Sequence, residues 1–374
     1  MEQGRFKFPV FKAAAVQAAP VWKDAPDYFD AEATLAKAVK LIAEAGCNGA
    51  RLIVFPESWM PSYCYWSLDI AERPRFSDIW AKYLWSSVTV PGPETEALCA
   101  AAKRAGAYVV MGINESNAQY RGRMHNSMLY ISPRGEILGV HRKICVTVQE
   151  RLFHTAGDGG DNLKTVFKTD IGILGGSICG EHAQPTLLYN WIMQGIEVHC
   201  SLWPGNCGME NGTDIKSRAF CDMAKAYGVI AATYIPEESK PKNFYSNSYF
   251  NIPGSSRGGS GIVSPRGEYI AGPVYDTETI VYGDIDLSEV DRPRAAVNLT
   301  GLYARWDILR LCVQEETYQP LVPMAGQIGS NGIVEVQEEI SRLKQQIAAL
   351  ENALHGLSAS APAVATASAK RTPG

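Results

Sequence analysis

Short apolar runs alternate with amphipathic stretches over roughly the first 310 residues, and this alternation predicts an α/β protein. The runs FKAAAVQ, residues 11–17, and RLIVF, residues 51–55, are rich in small and β-branched residues and predict strands, the second of them buried. Between these runs, leucine, valine and isoleucine recur at helical spacing. They predict a helix from Asp30 to Ala45, which Gly46 would end.

Two more helix–strand units follow, and hairpins lie between them. The units pair PETEALCAAAKRAG with AYVVMGINE, and DIKSRAFCDMAKAYG with VIAATYI. Residues 126–139 and 259–272 share the sequence S-P-R-G-E inside apolar strands, and its proline and glycine predict a turn between antiparallel strands. Helices have to cover the faces of such sheets, so we predict a layered α/β fold for residues 1–310.

The last 42 residues have a different pattern, in which apolar residues are spaced alternately by three and four positions. This heptad repeat places isoleucine mostly at a and leucine mostly at d, which favours parallel pairing of two chains. We therefore predict a coiled-coil helix over residues 333–357, after an extension or linker over residues 311–332 and before a disordered low-complexity tail over residues 358–374. The alternative is an amphipathic helix that packs on its own domain. The heptad positions are Ile333, Val336, Ile340, Leu343, Ile347, Leu350, Leu354 and Leu357.

Composition narrows the class of protein. The 374 residues are 46% hydrophobic and 20% charged with a net charge of −4, so the chain can bury a large core and carries no basic excess for nucleic acid. No apolar run approaches the ~20 residues of a membrane helix, and the N-terminus has no long apolar segment typical of a secretory signal. Nine cysteines without a C-x-x-C pair indicate reduced thiols in the cytoplasm, and six scattered histidines indicate no metal site. We expect no cofactor.

Four candidate catalytic residues lie in three short segments. In RLIVFPESWMPSY, Glu57 comes two residues after a buried strand; in GVHRKICVTVQER, Lys143 follows an apolar strand and Glu150 comes seven residues later. In GILGGSICGEHAQP, Cys179 ends a strand and a helix begins shortly afterwards. Each residue alone has an ordinary explanation, as a solvated acid, a surface cation or a small core side chain.

Taken together, these segments resemble the nitrilase superfamily of carbon–nitrogen hydrolases. The motifs FPE, HRK…T..ER and C.EH..P stand in the family's order, and the resemblance covers about residues 8–310. It implies an α-β-β-α sandwich that dimerises through helices, and a homodimer that assembles into larger oligomers or helical filaments. It also implies a Glu57–Lys143–Cys179 triad, with Glu150 as a fourth acid. No nucleic acid or membrane partner is expected.

The resemblance implies hydrolysis of a small organic nitrile to a carboxylic acid and ammonia. A free thiol of pKa ~8.5 is mostly protonated at neutral pH, so Glu57 would take the proton of Cys179 and Lys143 would stabilise the charge. The thiolate would then attack the nitrile carbon, forming a thioimidate and later a thioester. Formation of an amide and hydrolysis of an amide by the same triad remain alternatives, as does a non-catalytic assembly module built on the coiled coil.

Five further residues are candidates for binding the substrate. Glu181 and His182 match the C-W-E-H motif of the true nitrilase branch, but Gly180 stands where that motif has tryptophan. His182 is interpreted as a structural or pocket-lining residue. The aromatic residues near Glu57 and after the next strand could equally be core residues, and apolar nitriles would suit them if they line the pocket. The five candidates are Trp59, Tyr65, Gly180, His182 and Trp203.

Overall fold

A computed structural model describes residues 8–66, 73–205, 210–241, 256–317 and 338–351 of the chain. The chain divides into two units, residues 1–318 and residues 319–374. Two β-sheets and the helices that cover them belong to the first unit. Within the second unit, residues 338–351 form a helix.

The first sheet has seven strands among the described residues. They are β1 (Val10–Gln17), β2 (Ala50–Val54), β3 (Val88–Thr89), β4 (Tyr108–Ser116), β5 (Met124–Ile131), β6 (Ile137–Arg142) and β13 (Thr279–Asp286). Their order is β13-β1-β2-β4-β5-β6, and β3 pairs with the end of β4. Strands β1, β2 and β4 run parallel, whereas β5 and β6 form the antiparallel hairpin that the first S-P-R-G-E motif predicts.

The second sheet has six strands among the described residues. They are β7 (Phe167–Thr169), β8 (Gly172–Ile178), β9 (Val198–Trp203), β10 (Tyr227–Ala232), β11 (Gly258–Val263) and β12 (Tyr269–Tyr275). Their order is β12-β11-β10-β9-β8-β7, with β8, β9 and β10 parallel. The second S-P-R-G-E hairpin is the antiparallel pair β11 and β12, so the predicted turn between antiparallel strands is confirmed for both motifs.

The described helices are α1 (Ala31–Cys47), α2 (Arg73–Trp85), α3 (Pro93–Ala105), α4 (Pro185–Met193), α5 (Glu210–Ala224) and α6 (Asp291–Arg294). Helices α1 and α3 cover the outer face of the first sheet, and α4 and α5 cover that of the second. Ile42 of α1 and Leu98 of α3 share a core with Ile53 and Val109 of the first sheet. On the second sheet, the indole nitrogen of Trp191 in α4 donates to the hydroxyl of Ser177 at 3.0 Å.

The inner faces of the two sheets pack on each other and bury the largest core. Leu52 and Val110 of the first sheet share this core with Cys200 and Val229 of the second. The described layers are therefore helix, sheet, sheet, helix, and the predicted mixed α/β fold with two sheets and covering helices is confirmed. Dimerisation through helices stays a prediction.

The end of α1 differs from its prediction. Asp30, the predicted first residue, caps the helix, since its carboxylate accepts from the N–H of Ala33 at 3.0 Å. Gly46 does not end the helix, which continues to Cys47. A Cβ at Gly46 would lie 2.7 Å from the Cβ of Ala105, so this glycine allows α1 and α3 to approach closely and the predicted stop was wrong. The pattern of apolar and polar residues also did not predict helix α2.

The C-terminal predictions are only partly within the described residues. Helical residues 338–351 lie inside the predicted coiled coil, whereas residues 333–337, residues 352–357 and the tail over 358–374 lie outside the described residues. The N–H of Gly160 donates to the carbonyl of Gln314 at 2.9 Å. Gln314 lies beyond residue 310 and still belongs to the first unit. Among the described residues, no helix has both the length and the apolar character needed to cross a membrane.

Candidate active site

Glu57 is fixed at the point where the two sheets meet. It lies in the loop after β2, and its N–H donates to the carbonyl of Trp203, the last residue of β9. A Cβ on Gly112 of β4 would lie only 1.9 Å from the carbonyl oxygen of Pro56, so a glycine is required for this loop to rest on the strand. Glu57 is fully buried as a result.

Lys143 connects two carboxylates. It follows β6, and its backbone N–H donates to the carbonyl of Asn126 at 2.8 Å. Its ammonium nitrogen lies 2.6 Å from one oxygen of Glu57 and 2.9 and 2.8 Å from the two oxygens of Glu150. The amide nitrogen of Asn126 donates to the same two carboxylates, at 2.6 and 3.0 Å. All four side chains are buried, so their charges interact with little screening.

The two acids that share the Lys143 ammonium differ in pKa. Burial opposes ionisation of Glu150, but the charges of Lys143 and His154 and the hydrogen bonds of its carboxyl group with Glu57 and Lys143 lower its pKa to about 2. Glu150 also accepts from the N–H of Thr147 at 2.8 Å. Burial raises the pKa of Glu57 to about 8, against the opposing effect of Lys143. The second oxygen of Glu57 accepts no hydrogen bond from the described residues. Glu57 is therefore the acid that can exchange a proton near neutral pH.

Cys179 lies at a strained turn between a strand and a helix. It follows β8 directly and begins the 3₁₀ helix Cys179–Ala183, with a φ of +46° in the left-handed region. Non-glycine residues in this region cost free energy and concentrate at functional sites. Although burial alone lowers the pKa of Lys143, the charges of Glu150, Glu57 and Cys179 raise it well above its usual value. The structure thus brings Cys179 into electrostatic range of Lys143.

His182 contacts the backbone of Cys179. Its Nδ1 lies 2.9 Å from the carbonyl oxygen of Cys179, and its Nε2 lies 3.0 Å from His199 Nε2 and 2.7 Å from the Ser201 hydroxyl. Burial lowers the pKa of His182 to about 4, so the ring is neutral. Trp203 stacks on this ring at 5.0 Å. Both residues therefore support the turn that carries Cys179, and this geometry matches the structural interpretation of His182.

The aromatic candidates near Glu57 lie in different parts of the structure. Trp59 lies in the core between the first sheet and its helices and donates to the carbonyl of Ala18 at 2.7 Å, whereas Cys179 belongs to the core between the two sheets. Tyr65 is buried, donates to the carbonyl of Pro204, and packs edge-on against Tyr63 at 5.2 Å. Burial raises the pKa of Tyr63, and the charges of Glu150, Glu57 and Cys179 add to this effect. The charges of these three groups therefore reach Tyr63.

Gly180 leaves space beside Cys179. A Cβ at this residue would lie 3.4 Å from the hydroxyl of Thr147 and 3.9 Å from the carbonyl of Cys145, which are ordinary contact distances. The backbone therefore does not require glycine here, and the missing side chain keeps this position open.

Sequence reasoning did not select Asn126, Thr147 or His141, and it noted Glu181 only as part of a motif. Asn126 and His141 lie within apolar strands, and a buried polar residue in such a strand needs a partner. That signal could have selected them, but it does not identify the partner. Among the described residues, no group of three or more His, Cys, Asp or Glu is arranged to hold a metal ion.

The two-sheet fold and the buried Glu–Lys–Glu cluster agree with one protein family. Residues 12–295 match the carbon–nitrogen hydrolase family, and the chain belongs to it. It is 33% identical to Nitrilase 2 of an unknown prokaryotic organism over 309 residues, covering 82% of this chain and 96% of that protein. It is also 32% identical to the bifunctional nitrilase/nitrile hydratase NIT4B of Nicotiana tabacum over 326 residues, covering 84% and 88% of the two chains.

Solved structures show the same fold. The crystal structure of Saccharomyces cerevisiae Nit3, a member of branch 10 of the nitrilase superfamily, aligns with a TM-score of 0.61. The alignment covers 79% of this chain and 97% of Nit3, with 20% sequence identity. The protein is therefore a carbon–nitrogen hydrolase with the nitrilase fold.

Proposed function

We propose that the protein is a nitrilase that converts an organic nitrile to a carboxylic acid and ammonia. The observation that carries this proposal is the buried Lys143 ammonium, held between Glu57 and Glu150 and in electrostatic range of Cys179. A nucleophile, a base of raised pKa and a fixed positive charge are what attack on a nitrile needs. The names of the relatives, which are nitrilases, support the same activity.

The first half of the reaction forms a covalent intermediate. Glu57 takes the proton of the Cys179 thiol, and the thiolate attacks the nitrile carbon. A carbon–sulfur bond forms, one π-bond of the nitrile breaks, and its electron pair moves to nitrogen, which is protonated to give a thioimidate. Lys143 and the backbone N–H groups after Cys179 stabilise the negative charge that develops on this nitrogen.

The second half releases the products. Glu57 activates a water molecule that adds to the thioimidate carbon, and the tetrahedral intermediate expels ammonia to leave a thioester. A second water hydrolyses the thioester, which gives the carboxylic acid and returns the thiol of Cys179. Glu150, which accepts two hydrogen bonds from Lys143, orients that ammonium and assists proton transfer.

Two related reactions are the alternatives. If the tetrahedral intermediate expels sulfur instead of ammonia, the product is an amide. The tobacco relative, which is named a bifunctional nitrilase/nitrile hydratase, gives a reason to include this outcome. Hydrolysis of an amide would use the same groups. A non-catalytic assembly module is less consistent with the structure. Burying Glu57, Lys143 and Glu150 together costs desolvation free energy, and a role in assembly gives no reason for that cost.

A panel of nitriles and amides tests the proposed reaction. We expect apolar and aromatic nitriles to react faster than charged ones, since Tyr63 and Tyr65 form an apolar cluster near the charged residues. Ammonia, acid and amide are measured for each compound. Acid with an equal amount of ammonia supports the nitrilase, amide as the main product supports the hydrating alternative, and turnover of amides alone would overturn the proposal.

We propose that the heptad helix pairs with the same helix of a second copy, and that homodimers thereby assemble into larger oligomers or filaments. Within residues 338–351, every described residue is exposed, including the heptad positions Ile340, Leu343, Ile347 and Leu350. A row of exposed apolar side chains with heptad spacing is the surface that a second helix covers.

Deleting residues 333–374 is therefore expected to reduce the size of the assembly and to leave the dimer intact. Removing the row of heptad side chains removes the surface through which dimers would join. Light scattering measures the molar mass, and deletion of residues 358–374 alone is the matched control, with no expected change. An unchanged mass after the longer deletion would contradict the coiled coil.

We also propose a cytoplasmic location. None of the eight cysteines among the described residues is in a disulfide bond, which is typical of proteins in a reducing compartment. Fractionation of the producing cells tests this location.

A further inference from the structure

The Glu181 carboxylate joins two segments of backbone that carry candidate catalytic residues. One oxygen accepts from the N–H of Ile144 at 2.7 Å, and the other accepts from the N–H of Ile178 at 2.8 Å. Ile144 directly follows Lys143, and Ile178 directly precedes Cys179. The two segments belong to different sheets, because Lys143 follows β6 of the first sheet and Cys179 follows β8 of the second.

His141 completes this arrangement. Its Nε2 lies 3.1 and 2.9 Å from the two oxygens of Glu181, and its Nδ1 lies 3.3 Å from the carbonyl oxygen of Asn162. Both ring nitrogens thus face acceptors, and only the imidazolium can donate to both. The edge-on indole of Trp191, at 5.4 Å, holds the ring in place.

The charges of the pair are consistent with this geometry. Both side chains are fully buried, so each charge needs the other. Burial alone lowers the pKa of His141, but the Glu181 carboxylate more than offsets this and raises it. Burial opposes ionisation of Glu181, yet His141 and the two backbone N–H groups lower its pKa. Glu181 therefore accepts from both segments as a carboxylate.

We propose that Glu181, held by His141, is a positioning residue that sets the separation of Cys179 from Lys143 across the two sheets. The proposal rests on the proposed function for the roles of those two residues. Glu181 acts on the reaction only through the two backbone segments that donate to its carboxylate, at Ile144 and Ile178. A displacement of about 1 Å between reacting groups costs about 10²-fold in rate, so one carboxylate at this junction has a large effect.

The Glu181→Gln variant tests this role. Glutamine replaces one oxygen by an NH₂ group, so a donor would face either the N–H of Ile144 or that of Ile178. We expect kcat per titrated Cys179 to fall about 10²-fold, with KM within about threefold of the wild-type value. Turnover of a nitrile, the melting temperature and the rate of alkylation of Cys179 by iodoacetamide are measured together.

Glu197→Gln is the matched control at the other end of the same strand. Glu197 accepts from the N–H of Ile173 at 2.9 Å, near the start of β8, just as Glu181 accepts from Ile178 at its end. The control has the same chemical change but lies away from Lys143, so we expect kcat to stay unchanged. Equal losses of kcat in the two variants, or no loss in Glu181→Gln, would overturn the proposal.

A second variant covers failure of the first to fold. His141→Gln keeps the carboxylate of Glu181 with its backbone hydrogen bonds and removes only the cation, and we expect a loss of about tenfold in kcat. If Glu181→Gln does not fold, the proposal is tested with His141→Gln alone. A folded His141→Gln variant with unchanged kcat would reject the proposal.

The alkylation rate separates this proposal from the proposed function, since it requires no nitrile. Slower alkylation of Cys179 in Glu181→Gln but not in Glu197→Gln supports the positioning role even if the wild type hydrolyses no nitrile. Equal alkylation rates in all proteins reject it even if the wild type is a nitrilase.

Discussion

Replacement of Cys179 by alanine is expected to lower kcat by about 10⁴-fold or more, because in the proposed reaction the sulfur atom forms the bond to the nitrile carbon. The free energy of unfolding is expected to change by no more than about 1 kcal/mol, since one buried sulfur atom is lost. Alanine keeps the Cβ at the turn where φ is +46°, so the backbone is not relieved of its strain. Nitrile turnover at saturating substrate and urea denaturation measure the two quantities.

Cys200→Ala is the matched control for this variant. Cys200 lies on β9 opposite Gly176 of β8, is fully buried, and belongs to the core between the sheets. Burial raises the pKa of its thiol, so it has no nucleophilic role at neutral pH. We expect a similar small loss of stability with kcat within about twofold of wild type. If Cys179→Ala kept more than about one per cent of kcat, Cys179 would not be the nucleophile.

Replacement of Lys143 by methionine is expected to lower both activity and stability. Methionine fills a similar volume but leaves Glu57 and Glu150 buried together without a cation, which costs about 3–5 kcal/mol of the free energy of unfolding. We expect kcat to fall about 10³-fold, because the positive charge near the developing negative charge is lost. Urea denaturation and nitrile turnover measure the two effects.

A double variant separates the electrostatic cause from a packing defect. At a pH above the raised pKa of Glu57, adding Glu57→Gln to Lys143→Met removes one of two like charges, so part of the lost stability should return while kcat stays low. Lys37→Met removes the partly exposed ion pair of Lys37 with Glu278, at 2.7 Å, and should cost at most about 1 kcal/mol. A double variant no more stable than Lys143→Met would show that the two carboxylates do not destabilise the site.

Most of the elements could be predicted because their patterns are local. The strands β1, β2 and β10 and the helices α1, α3 and α5 all follow from runs or spacings within about twenty residues. Where a prediction failed, a distant residue was the cause. Gly46 has the sequence signature of a helix end, but its role is decided by Ala105, which packs on it from another helix.

The candidate site could be predicted as a set of residues but not as an arrangement. The order and spacing of Glu57, Lys143, Glu150 and Cys179 resemble one family, and the match to carbon–nitrogen hydrolases confirms the family. Nothing in the spacing shows which carboxylate loses its proton more easily. That difference depends on how burial is balanced at each acid by the charges around it, above all that of Lys143.

The sequence by itself determined the alternation of strands and helices and the heptad repeat at the C-terminus, because these depend on local spacing and on residue type. The resemblance of its motifs to one family added the four candidate catalytic residues. Only the tertiary structure decided that Trp59 and Cys179 belong to different core clusters, that His182 contacts backbone, and that Glu181 joins two sheets. The physical reason is that a hydrogen bond or a buried charge depends on atoms a few ångströms apart, and the chain brings those atoms together from segments far apart in sequence.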